Sequence, residues 1–224
     1  ATERILSEEL NPTSYDLNNA YDTCSYEAST VTTLSDTPII STALLLLSVN
    51  VSKLNLEKYC QLINSPFWGK NYSLLSRAVA EKYLRKKGQL ELSFNQFISE
   101  LKYSEKKCMP IDKDSLSDSF CCQEANNYMK GVSEKNHFSV WIKLFKKQLD
   151  SFGWPGLQDL NNSEDNLQKE WFDSFETLAS LDQLKQKVTI KEALKLLNRV
   201  TDRYIFKRKN FDIPIHIIGL LESN

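Results

Sequence analysis

Residues 138–149, FSVWIKLFKKQL, decide the fold class. Phe138, Trp141, Ile142, Phe145 and Leu149 recur at i, i+3, i+4, i+7 and i+11. That is the period of a helix with one apolar face. Lys143, Lys146 and Lys147 fall off the stripe, so the spacing predicts an amphipathic helix. The same period returns at Leu167, Trp171, Phe175 and Leu178, with Glu164 and Asp165 in the first turn, where the helix dipole favours acids. It returns again at Ile190, Ala193, Leu194, Leu197 and Val200. There Thr189 and Glu192 form the pattern of a capping box.

Upstream the signals are shorter but of the same kind. Thr37-Pro38 opens a helix to about Asn50, because Pro is tolerated at the first helical position. Its run IISTALLLLSV is too short to span a bilayer and reads as a buried core helix. A short helix covers NLEKYCQLIN and ends at Ser65, Pro66 and Phe67, since a residue before Pro is pushed out of the helical region. A further helix over residues 72–88 stops at Gly88. Ser93 and Gln96 suggest a capping box for a helix through Leu101, followed by a loop over residues 102–115 and a helix from Ser115 to Lys130.

The expected fold is therefore all-α, an irregular multi-helix domain over residues 37–209. An acidic extended segment, residues 1–36, precedes it. Residues 210–224 follow, where IPIHIIGLLESN reads as a short β-branched strand with no convincing partner, an orphan strand. This suggests the edge of a sheet belonging to a larger protein, and the start at Ala1 reads as a cut or processed chain.

The composition is that of a globular protein: 224 residues, 41% hydrophobic, 25% charged, net charge −1. That balance gives no global pull towards nucleic acid, but its distribution is uneven. Residues 1–36 carry seven acids and one base, whereas residues 185–209 carry nine bases and two acids. Five cysteines, two of them adjacent, make no disulfide framework and read as free thiols in a reducing, cytoplasmic setting.

Catalytic signals are absent from the sequence pattern. The two histidines, His137 and His216, open a helix and sit within an apolar strand, and both read as structural. Cys108, Cys121, Cys122 and His137 match no metal-ligand spacing, and no phosphate-binding glycine loop occurs. No metal, cofactor, membrane segment or enzymatic activity is expected. The corner Gly153-Trp154-Pro155-Gly156 supplies unusual backbone angles and a plug, with Trp171 behind it, and contains no nucleophile or base. Lys191, Lys195, Arg199 and Arg203 recur every fourth residue opposite the apolar face of the last helix and continue into Lys207, Arg208 and Lys209. A second cluster is Lys82, Arg85, Lys86 and Lys87. Each cluster is either a solvated helix face or a contact to nucleic-acid phosphates.

Four stretches carry a resemblance: STVTTLSDTPIISTALLLLSV, YCQLINSPFWGKNYSLLSRAVAEKYLRKKG, GWPGLQDLNNSEDNLQKEWFDSFETLASLDQL and IPIHIIGLLESN. Together, from about Glu27 onward, they resemble the middle of a bacterial family of DNA repair proteins. That family is similar to the AddB-type subunit of helicase-nucleases and carries a RecB-like nuclease domain at its C-terminus. The Ser65-Pro66-Phe67 element and the Gly153–Gly156 corner, with Ser163, Glu164 and Gln168 downstream, are its more specific marks. The resemblance implies that the helical region corresponds to the 2B insertion of superfamily 1 helicases, and that HIIGLLES is the re-entry into a RecA-like domain. Active helicases carry His-Ser/Thr-x-Lys-Gly there. This chain has Gly219 to Asn224 without a lysine, which resembles the degenerate, helicase-like subunits. The nuclease carboxylates and any Walker-type loop of such a protein would lie outside these residues.

The expectation is a non-catalytic helical domain of a DNA repair helicase-nuclease-like protein. It would contact DNA weakly and without sequence preference, beside helicase-like and nuclease domains of the same chain. The alternative is a stand-alone helical protein–protein interaction module.

Overall fold

A computed structural model describes residues 26–28, 32–69, 74–108, 134–156, 159–184, 186–206 and 215–217. The chain divides into two compact units, Thr33–Tyr204 and the combined flanks Ala1–Thr32 with Ile205–Asn224. The larger unit contains seven α-helices among the described residues: α1 Pro38–Ser48, α2 Leu56–Asn64, α3 Leu74–Lys87, α4 Phe94–Cys108, α5 Phe138–Ser151, α6 Asn162–Ser180 and α7 Ile190–Arg203.

Helix α1 sits at the centre, apolar on almost every side. Ile39, Ile40, Ala43, Leu46 and Leu47 are all at most 1% exposed, as a core helix requires. It packs against α2, α5 and α6 and touches α7. The Thr37 hydroxyl donates to the Leu34 carbonyl at 2.7 Å rather than capping the helix it precedes. No helix among the described residues is long and apolar enough to cross a membrane.

Helices α5, α6 and α7 bury the faces that the spacing predicts. Trp141, Phe145, Trp171, Phe175, Leu178 and Leu197 are all essentially inaccessible. Two polar groups tie this layer to α1: Gln148 Nε2 donates to the Leu46 carbonyl at 2.8 Å, and Trp154 Nε1 to the Ile39 carbonyl at 3.1 Å. Asn161 and Glu164 close a reciprocal capping box at the start of α6, as Thr189 and Glu192 do for α7.

A local arrangement recurs that leaves no obvious mark in the sequence. The two-residue strands Leu54–Asn55 and Glu91–Leu92 pair antiparallel, each leading into a helix, α2 and α4. Lys135–Asn136 and Val188–Thr189 do the same ahead of α5 and α7. Each bridge fixes the entry of two helices that are far apart in sequence.

The Ser65-Pro66-Phe67 element wraps a buried arginine. Arg77 of α3 is 2% exposed and donates to the carbonyls of Ile63 at 2.7 Å, Ser65 at 2.8 Å and Trp68 at 2.6 Å. A cation at these carbonyls suits the negative end of α2 and occupies acceptors that the helix terminus leaves open. Ser65 Oγ lies 2.7 Å from the Thr42 hydroxyl and accepts from the Phe67 N–H at 3.2 Å.

Two expectations are corrected. The strand near the C-terminus is not an orphan: Ile215–Ile217 pairs in parallel with Tyr26–Ala28, in the register Tyr26 to Ile215, Glu27 to His216 and Ala28 to Ile217. The two chain ends, read as separate segments, thus belong to one unit. A parallel pair needs a long crossover, so no local turn signal marks it. Helix α4 also does not stop at Leu101 but runs to Cys108, through part of the expected loop. Leu101 and Ser104 are fully buried, and Ser104 Oγ donates back to the Leu101 carbonyl at 2.7 Å, carrying the inward face onward. The expected helix from Ser115 to Lys130 lies outside the described residues.

Candidate nucleic-acid interface

Helix α7 presents the longest basic stripe. Its start is held by the capping box: Thr189 N–H donates to Glu192 Oε2 at 2.8 Å, and Glu192 N–H to the Thr189 hydroxyl at 3.3 Å. Ala193, Leu194, Leu197 and Thr201 face inward. Its far end is pinned: Asp202 Oδ1 accepts from Ser35 Oγ at 2.6 Å, and the Leu34 N–H donates to the Tyr204 carbonyl at 2.8 Å.

Lys191, Lys195, Arg199 and Arg203 stand exposed on the side opposite that face. Three steps of four residues carry the row about 18 Å along the helix, turning about 40° at each step. The two acids of α7 are occupied elsewhere. The Glu192 carboxyl lies below the usual range because the Thr189 backbone N–H and hydroxyl donate to it, and Asp202 is held by Ser35. None of the four cations forms an ion pair among the described residues. Within the described residues no acid offsets the stripe. Lys207, Arg208 and Lys209, expected to prolong it, lie outside the described residues.

The second cluster differs. Lys82, Arg85, Lys86 and Lys87 are all exposed at the end of α3. Arg85 pairs with Glu81 at 2.7 Å, four residues back, and Lys87 pairs with Glu100 of α4. The hydrogen bond to Glu100 holds the Lys87 ammonium pKa above its ordinary value. Two of these four bases are thus matched by acids, while Lys82 and Lys86 form no ion pair among the described residues.

The pairing brings into view a residue that the sequence reading passed over. Tyr103 of α4 is 52% exposed, and its ring lies 5.8 Å from that of Tyr83 of α3. Lys107 Nζ stands 5.8 Å from the Tyr103 centroid. The signal was available in the spacing Phe94, Phe97, Leu101 and Ser104, which continues the helical period past the point where a loop was expected.

The two specific sequence elements meet in space. Gly156, at φ +94°, lies so close to residues 66–67 that a Cβ there would come within 2.6 Å of the Pro66 carbonyl oxygen. The Trp154–Pro155 peptide is cis, and Gly153 also has positive φ. Trp154 is buried, its ring 6.4 Å from that of Trp171. Ser65, Pro66, Phe67, Gly153, Trp154, Pro155, Gly156 and Trp171 form one packed joint, far from the exposed bases of α7 in role.

His137 precedes α5 without capping it. The cap comes from Asp182, whose carboxylate accepts from the Phe138 N–H at 2.6 Å and the Ser139 N–H at 3.1 Å. Among the described residues, no group of three or more His, Cys, Asp or Glu could hold a metal ion. No family model, curated protein or solved structure matches the chain.

Proposed function

We propose that the helical unit is a non-catalytic, DNA-contacting module of a DNA repair helicase-nuclease-like protein, and that α7 is its contact surface. The carrying observation is the row of four cations that form no ion pair among the described residues, on a helix whose own acids are used for capping and anchoring. Phosphates attract such a row without regard to sequence, so the contact is weak and non-specific. The placement of the unit supports an inserted module. Its first and last residues adjoin, through the Leu34 to Tyr204 hydrogen bond, as the ends of an inserted domain do. The parallel pairing of Tyr26–Ala28 with Ile215–Ile217 is of the kind found in α/β sheets.

The test is the salt dependence of binding to a labelled duplex. Each phosphate contact contributes about 0.9 to the slope of log affinity against log salt. The variant Lys191→Ala, Lys195→Ala, Arg199→Ala, Arg203→Ala should lose up to about 3.6 from that slope and weaken all duplex sequences alike. Helix α7 should persist, because Ala is the best helix former and the buried face is unchanged. An unchanged slope in a folded variant would make the stripe a solvated face only.

The alternative, a helical protein–protein interaction module, is favoured by Leu74, Leu75 and Leu90, which are 63%, 72% and 84% exposed. It gains if the intact chain shows no salt-dependent DNA binding.

A further inference from the structure

We infer that the surface shared by α3 and α4 is a stacking platform for single-stranded nucleic acid, centred on Tyr103. The inference rests on the proposed nucleic-acid role and adds strand preference to it.

Among the described residues, Tyr103 and Phe172 are the exposed aromatic side chains. Phe172 is the poorer platform. It is 38% exposed, and Asp173 and Glu176 are exposed on the same helix, where they repel phosphate; a lysine ammonium stands near both rings, Lys146 at 5.3 Å from the Phe172 centroid and Lys107 at 5.8 Å from that of Tyr103. Tyr103 is 52% exposed and has a second ring beside it: Tyr83 lies at 5.8 Å with a tilt of 38°. Tyr83 is itself steadied by its hydroxyl, which donates to Glu100 Oε2 at 3.3 Å.

The charges around the pair suit a nucleic-acid backbone. Lys102 and Lys107 flank Tyr103 on α4, and Lys82 and Lys86 flank Tyr83 on α3; all four are exposed. The neighbouring acids, Glu81 and Glu100, are engaged by Arg85 and Lys87, so these four ammonium groups are not matched by them. An exposed ring backed by a second one, among cations that form no ion pair within the described residues, is what a single strand needs, because its phosphates take the charges and an unpaired base takes the ring face. A duplex keeps its bases stacked internally and offers the ring nothing. Tyr103 therefore discriminates between strands, whereas the α7 stripe does not.

The experiment compares a labelled oligothymidylate with a labelled mixed-sequence duplex of equal length, by fluorescence anisotropy on the full chain at fixed salt. Tyr103→Ala should weaken the oligothymidylate about 5- to 100-fold, the range seen when a stacking aromatic is removed. It should leave the duplex unchanged, and Tyr103→Phe should keep both affinities. The exposed position leaves the fold intact, which an unchanged circular dichroism spectrum checks. If Tyr103→Ala binds oligothymidylate like the parent, or weakens both probes alike, the platform is overturned, while the α7 reading stands or falls on its own salt slope. If the parent chain binds neither probe even at low salt, both proposals fall together.

Discussion

Replacing Gly156 with Ala tests whether the corner and the Ser65-Pro66-Phe67 element are locked together. At φ +94° an L-residue is strained, at a cost of about 1–2 kcal/mol. The added Cβ would also sit 2.6 Å from the Pro66 carbonyl oxygen and 3.4 Å from the Phe67 Cα. Both neighbours are backbone, in the loop whose carbonyls hold the Arg77 guanidinium, so they cannot swing aside as a side-chain tip would. Overpacking of this kind costs about 1–3 kcal/mol more, giving an expected loss of about 2–5 kcal/mol. Gly88 is the internal control. It also has positive φ, +69°, but a Cβ there meets nothing within 4 Å. Gly88→Ala should therefore cost only the conformational part, about 1–2 kcal/mol. Urea unfolding of both variants, followed by tryptophan fluorescence, gives the two losses under one protocol. Equal losses would refute the reasoning, because they would mean that φ alone matters and the close approach to Pro66 does not.

Two further outcomes follow from the packing and the caps. Trp171 is fully buried against Trp154 and Phe175, so Trp171→Ala should cost about 3–5 kcal/mol in the same assay, and a loss below about 1 kcal/mol would contradict its core position. Asp182 is partly desolvated, which raises its pKa, but hydrogen bonds from Ser139 and Phe138 and the nearby His137 bring the net value below the ordinary one. A lowered folded pKa stabilises the protein above the unfolded value of about 3.9, and that contribution disappears as pH falls through the folded value. Asp182→Asn should flatten the acid limb of stability against pH, and parallel curves for variant and parent below about pH 4 would show that the carboxylate is not the cap that matters.

The helical periods and caps alone determined the mainly helical character of the described residues between Pro38 and Arg203, because each helix carries its own evidence. Phe138 to Leu149 and Leu167 to Leu178 repeat every three or four residues, and Thr189 with Glu192 satisfies orphan N–H groups without help from elsewhere. The basic stripe was legible for the same reason, since four-residue spacing places Lys191, Lys195, Arg199 and Arg203 along one side of any helix. What tertiary structure decided is which charges stay free and which distant segments meet. Glu100 neutralises Lys87 from another helix, and no spacing rule in the sequence announces that pair. Asp182 caps a helix that begins 44 residues earlier. Tyr26–Ala28 pairs with Ile215–Ile217 across most of the chain, and parallel pairing leaves no turn in the sequence to mark it. Gly156 shows the same division: the sequence marks it as a turn residue, but only the fold brings the Pro66 carbonyl close enough to exclude a side chain there.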